Sequence, residues 1–184
     1  MLAIVAILAG LAIREMNVRS RHARHTEAVT EIAEIFDSVA AYFHERRPSR
    51  SGGEAPHRCP HPPGRPAGGE TKFTPQMDVV CTDSSTGACV PGDGVGPGEY
   101  ALTEWTNEPM WISLGRVKTT PHYFHYRVKT VNTIPDAYGG CMFTITAQGD
   151  DPDDPCNEFR RVGYASVDGV IAGPLEGCAE ALLR

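Results

Sequence analysis

Between Leu2 and Arg47 the chain contains no proline, and its only glycine is Gly10. Proline removes a helical hydrogen bond and glycine costs ordering entropy, so a stretch without them has nothing that obliges a helix to stop. Pro48 then ends it, because the residue before a proline is biased away from helical geometry. The spacing predicts one helix of about 46 residues, roughly 70 Å long at 1.5 Å per residue. A helix so far above the ~11-residue mean should be a coiled coil, a membrane element or a protruding stalk. No heptad register is sustained through it, which leaves the stalk.

Residues 1–47 fall into three parts. The first, residues 1–13, is apolar on every side: Leu2, Ile4, Val5, Ile7, Leu8, Leu11 and Ile13 are its large side chains. At twelve residues, Leu2 to Ile13 falls short of the ~20 that a spanning helix needs. A secretory signal would place basic residues before the run and a small-residue cleavage site after it. Here Arg14, Arg19, Arg21 and Arg24 follow the run instead, with no helix breaker between. This basic stretch, ending at His25, reads as a solvated or headgroup-facing collar. The last part, residues 27–45, is amphipathic. Val29, Ile32, Phe36, Val39 and Phe43 recur every three to four residues and form one apolar stripe for packing on a head. Glu27, Glu31, Glu34, Asp37, Glu45 and Arg46 lie mostly off that stripe.

Beyond the stalk about 140 residues remain, the size of one ordinary domain. The net charge of −6 argues against nucleic acid as a partner, since phosphates call for a basic surface. Six cysteines, at 59, 81, 89, 141, 156 and 178, all follow the stalk, and none stands in a C-x-x-C motif. An even number in a Gly- and Pro-rich domain points to disulfides and an oxidising compartment. Fifteen pairings are open. A working assignment pairs Cys81 with Cys89 across a short loop, Cys156 with Cys178 to pin the C-terminal segment, and Cys59 with Cys141 as the remainder.

Residues 48–99 are dominated by two Pro/Gly-rich stretches, 46–75 and 87–99, expected as irregular surface connections. From residue 100 to 184 the pattern turns to strands. "MWISLG" is a short apolar stretch, "HYFHYRVKTV" is aromatic and β-branched, and "CMFTITAQG" alternates. "EFRRVGYASVDGVIAG" reads as two strands about Asp168–Gly169, a good hairpin turn. One long helix followed by consecutive strands is α+β, with the helix stripe covering an antiparallel sheet.

These segments resemble the type IV pilins and their pseudopilin relatives. "MLAIVAILAGLAI" is similar to the apolar end of their helix, and "EAVTEIAEIFDSVAAYFHE" to the half that packs on the head. "EWTNEPMWISLGRVKTTPHYFHYRVKT", "FTITAQGDDPDD" and "FRRVGYASVDGVI" are similar to pilin heads of Gram-negative bacteria, delta-proteobacterial ones in particular. The resemblance covers most of the chain outside residues 48–72 and 82–98. It implies a pilin fold, in which a helical stalk packs on a disulfide-stapled sheet head. It also implies a structural subunit that sits in the inner membrane as a precursor. An assembly machinery then polymerises it into an extracellular filament serving adhesion, motility or DNA uptake. The alternatives are a pseudopilin of a type II secretion system and a membrane-tethered periplasmic binding domain. Pilins carry a short basic leader cut before a Phe-Thr-Leu-x-Glu type segment, and neither is found here. Residues restored before Met1 would bring the apolar run near spanning length.

Three groups of residues invite a chemical reading. Asp150, Asp151, Asp153 and Asp154 offer oxygens in a turn, as Ca²⁺ requires. Against this, the EF-type glycine is missing, Pro152 and Pro155 stiffen the loop, and acidic turns are commonly only solvated. His57, Cys59 and His61, with Cys81 and Cys89, carry zinc-ligand atoms but not zinc-site spacing. A Cys–His nucleophile needs a free thiol, and no nucleophile signature surrounds any cysteine. His122 and His125 lie in the aromatic strand, where packing or exposure is their ordinary role. No enzyme and no obligate cofactor is expected.

Overall fold

The computed structural model describes residues 2–45, 47–48, 54–55, 57–62, 68–133, 139–152 and 154–177. Helix α1 spans Leu2–His44, and for its residues 2–14 the backbone alone is described. It is followed by β1 (Arg47–Pro48), β2 (Glu54–Ala55), β3 (Gly68–Glu70), a 3₁₀ turn (Cys81–Asp83), β4 (Val90–Gly92) and β5 (Glu99–Ala101). Two short helices come next, α2 (Thr103–Thr106) and α3 (Pro109–Ser113). The chain then forms β6 (His125–Asn132), β7 (Gly140–Gln148), β8 (Glu158–Ser166) and β9 (Gly169–Gly177). The main sheet has the order β3-β6-β7-β8-β9, with every neighbouring pair antiparallel. β6 to β9 form the expected meander, and the fold is α+β. β1 and β2 make a separate antiparallel pair, and β4 and β5 a parallel one.

The second half of α1 lies on one face of this sheet. Ala28, Ile32, Ile35, Val39 and Phe43 are fully buried and Phe36 nearly so. Across from them, alternation along the strands points Phe143 and Ile145 of β7, and Phe159 and Ala165 of β8, into the same core. Val29 is only partly buried at the margin of the stripe, while Ala28 and Ile35, absent from the sequence expectation, lie at its centre. The rings of Phe36 and Phe143 meet at 5.0 Å over Gly163 of β8. A Cβ on Gly163 would stand 2.3 Å from Phe143 Cζ, so a hydrogen there is what lets helix and sheet close.

The outward face carries a second pattern. Val131, Met142, Tyr164 and Ile171 are successive cross-strand partners on β6, β7, β8 and β9. Their exposures of 40, 47, 36 and 68% make them an apolar row running across the sheet in solvent. The edges are short or interrupted: β3 has three residues, and β9 carries Pro174, which has no N–H to offer a further strand.

Two sequence expectations need correction. "MWISLG" forms α3 with its C-cap rather than a strand. Pro109 presets the first helical turn, and Met110, Trp111 and Leu114 all turn to the core. The Pro/Gly-rich stretch is also not wholly irregular, because β3 within it extends the main sheet alongside β6. Two glycines make that possible. Gly68 has φ +123°, and a Cβ there would collide with the Thr130 carbonyl oxygen at 2.2 Å.

Cys59 is bonded to Cys141 on β7, and Cys81 to Cys89. The first closes a sequence separation of 82 residues, a constraint worth about 4 to 5 kcal/mol on a chain-entropy estimate. Cys156 is also disulfide-bonded, and Cys178 lies outside the described residues.

Candidate functional site

The region with the most specific chemistry is the junction where α1 enters the head. The described side chains from Glu15 to Ala23 are all exposed, including Met16 and Val18. At Arg24 the surroundings change. The Arg24 guanidinium lies 4.8 Å over the Tyr123 ring and 3.3 Å from an oxygen of Asp151. His25 is buried, its Nε2 is 2.8 Å from Asp154 Oδ2, and its ring tilts against Phe159 at 5.5 Å.

Asp151 and Asp154 belong to the β7–β8 loop, which is shaped by its own backbone. The Gly149 N–H donates to the Asn157 carbonyl at 2.7 Å and the Asp154 N–H to the Asp151 carbonyl at 3.1 Å. Asp154 Oδ1 accepts the Cys156 N–H at 2.9 Å, leaving Oδ2 for His25. Burial pushes the Asp154 carboxyl upward. The Cys156 N–H, His25 and Arg21 together outweigh this and hold it below the ordinary aspartate value.

A second set of contacts runs along the flank of the helix. Glu27, Glu31 and Glu34 lie at i, i+4 and i+7, so they share one side of α1. Glu27 Oε1 accepts from the Tyr123 N–H at 3.1 Å and from the Tyr126 hydroxyl at 3.2 Å. Glu31 takes Lys118 at 2.5 Å and pairs with Arg116, which also reaches Glu34 at 2.8 Å. Burial raises the Glu27 carboxyl, with Lys118 only partly offsetting it. Burial acts the same way on Glu31, but Lys118 and Arg116 together hold that carboxyl low.

These contacts correct the sequence reading of the charged residues. Glu27, Glu31 and Glu34 are docked on the 116–126 segment, and the C-terminal end of the basic collar, expected to be solvated or headgroup-facing, is docked on the acidic loop. Their spacing was the available signal: a carboxylate stripe beside an apolar stripe marks a helix whose flank has a partner. The same contacts give protein partners to three of the proposed Ca²⁺ ligands, which line one small cavity with Arg24 and Asn157. Asp154 faces His25, Asp151 faces Arg24, and Asp150 accepts the Thr82 N–H at 3.3 Å. Asp153 lies outside the described residues.

The zinc grouping is also taken apart. Cys59 is in a disulfide, His57 Nδ1 bonds the Phe43 carbonyl and His61 Nδ1 bonds the Cys59 carbonyl, each at 2.8 Å. Cys59, Cys81, Cys89, Cys141 and Cys156 are all disulfide-bonded, so none offers a thiolate. His122 is enclosed among Tyr100, Trp105 and Tyr126, its Nδ1 on the Thr120 carbonyl and its Nε2 without a partner. Burial pushes that imidazole down to about 4.

For the apolar end of α1 the structure gives a helical backbone from Leu2 onward, through Ile4, Val5, Ile7, Leu8, Leu11 and Ile13. Among the described residues no helix is long and apolar enough to cross a membrane. Comparison of the chain with protein-family models, with curated proteins and with solved structures finds no match to any of them.

Proposed function

We propose that this chain is a structural subunit of a type IV pilus-like filament, polymerising through the apolar part of α1. The observation that carries this reading is the continuity of α1. One 43-residue helix is bound to the head by its second half, while the described side chains from Glu15 to Ala23 are in solvent. The apolar sequence Leu2 to Ile13 extends along the same helix axis, away from the docked half. Such a run is held either in lipid or against copies of itself. At ~25 cal/mol per Å² of apolar area, a few hundred Å² per neighbour contributes several kcal/mol before entropic costs. A contact of this kind repeated head to tail does not close and yields a fibre.

Two features of the head support the same reading. The disulfides brace a domain that would stand outside the cell. The exposed row of Val131, Met142, Tyr164 and Ile171 gives adjacent heads an apolar surface to share. In this proposal the chain resides in the inner membrane before assembly, requires a dedicated assembly machinery and performs no catalysis.

Material sheared from the native cells, viewed by electron microscopy and weighed by intact mass, tests the reading. Filaments containing this chain are expected, and they should be lost when Leu8→Arg puts a charge in the apolar run. Recovery of the chain only as a membrane-held monomer would replace the filament with a tethered domain. Recovery only from the periplasm beside secretion components would favour the pseudopilin.

A further inference from the structure

His125 begins β6 and is fully buried, and its Nδ1 lies 2.8 Å from the Pro75 carbonyl oxygen. A carbonyl can only accept, so Nδ1 carries a proton, and in the neutral imidazole Nε2 presents a lone pair. That lone pair faces Cys81 Sγ at 3.4 Å. A disulfide sulfur has no hydrogen to donate, so in that form the contact gives the buried lone pair no donor. Cys81 Sγ, Cys89 Sγ and His125 Nε2 all lie within 4.8 Å of one another, and all three residues are buried.

The loop joining the two cysteines is held together by bonds other than the disulfide. Ser84 Oγ donates to the Ala88 carbonyl at 2.7 Å and accepts the Ala88 N–H at 3.0 Å. Cys89 exchanges both backbone hydrogen bonds with His122, at 2.7 and 3.0 Å, and the Ser84 N–H returns to the Cys81 carbonyl at 3.1 Å. Opening the S–S bond therefore leaves both cysteines in place beside the imidazole.

We propose that Cys81, Cys89 and His125 form a redox-gated site for one Cu(I) ion, which the disulfide closes. A dithiol reductant supplies two electrons and two protons, giving two thiols and its own cyclic disulfide. Cu⁺ then displaces both thiol protons to solvent and is bound by two thiolates and Nε2. The donor set selects the ion: two soft sulfurs and one imidazole suit three-coordinate Cu(I), whereas a structural Zn²⁺ site closes with four ligands. The Pro75 carbonyl fixes the tautomer, as partners behind metal-binding histidines ordinarily do. The 82–88 loop that joins the two cysteines has Asp83, Ser85 and Thr86 exposed.

The test is anaerobic titration of the dithiol-reduced full chain with Cu(I) against a chromophoric Cu(I) chelator, with circular dichroism recorded in parallel. The reduced, folded chain should withdraw one Cu(I), and X-ray absorption should show two sulfurs and one nitrogen. The oxidised chain should withdraw none. Cys81→Ser with Cys89→Ser should abolish binding, and His125→Gln should weaken it at least tenfold while the fold persists. Uptake that survives in the double serine variant assigns the ion to other cysteines and overturns the site. An all-sulfur spectrum, a His125→Gln protein that binds normally, or unfolding on reduction alone overturns it equally.

Discussion

His25 Nε2 lies 2.8 Å from Asp154 Oδ2, with 7 and 5% of the two side chains exposed. This buried pair joins the first docked turn of α1 to the loop between β7 and β8. Asp154→Asn keeps the shape and removes the charge. It is expected to cost about 1 to 3 kcal/mol at neutral pH. Hydrogen exchange locates the loss: amides near residues 24–28 should exchange faster while those near 35–43 keep their protection. Because the Asp154 carboxyl is held low in the folded state, its stabilisation is present above the ordinary aspartate value and is lost as pH falls below it. The variant should be less acid-sensitive there.

Phe36→Ala should remove about 3 to 5 kcal/mol, since a large ring leaves a cavity that the sheet cannot collapse into. Phe36 also carries the Arg161 guanidinium 4.9 Å above its ring, so an arginine loses its seat as well. A lower urea midpoint at unchanged slope is the expected signature, and a shift under 1 kcal/mol would remove Phe36 from the core account.

Gly163→Ala tests the opposite failure. The added methyl meets Phe143 Cζ at 2.3 Å and Phe36 Cε2 at 2.6 Å, and overpacking of this kind costs about 1 to 3 kcal/mol. Combined with Phe36→Ala the two losses should not add, because the first substitution vacates space that the second fills.

His122 governs behaviour in mild acid. Its folded value of about 4 lies below the ordinary 6.5, so the unfolded state binds more protons between those limits. The contribution of His122 to stability is full above pH 6.5 and falls as the pH drops towards 4, by about 3 kcal/mol in total. Glu27, held high by burial, acts in the opposite direction. Subtracting the pH profile of His122→Phe from that of the parent cancels Glu27, and the difference should slope only across this window. Parallel profiles would remove His122 from the account.

Much of the architecture was legible because it rests on local rules. The helix followed from missing helix breakers, and the β8–β9 hairpin from the turn-forming "VDG", although its two-residue loop is Val167–Asp168 and Gly169, at φ +144°, already pairs with Ser166. The alternation in "CMFTITAQG" placed Phe143 and Ile145 inside. What escaped depends on contacts distant in sequence. Glu31 looks like a solvated helix residue until Arg116 and Lys118 arrive beside it, 85 and 87 residues later. The protein partners of the acidic loop, Arg24 and His25, escaped because they are more than 120 residues away. His125 escaped as a neighbour of Cys81 for the same reason, whereas His57 and His61 drew attention only by adjacency to a cysteine. β3 was missed because Gly68 and Gly69 carry no side chain from which a strand could be read.

The rim of the sheet bears on how copies of this chain can join. Three residues of β3 close one margin, and Pro174 interrupts the other, so neither presents an unbroken ladder to a stranger. Sheet edges of this kind disfavour zipping of heads into cross-β aggregates wherever copies meet at high local density. In the proposed filament, crowding would then leave each head a separate unit, with growth carried by the apolar part of α1.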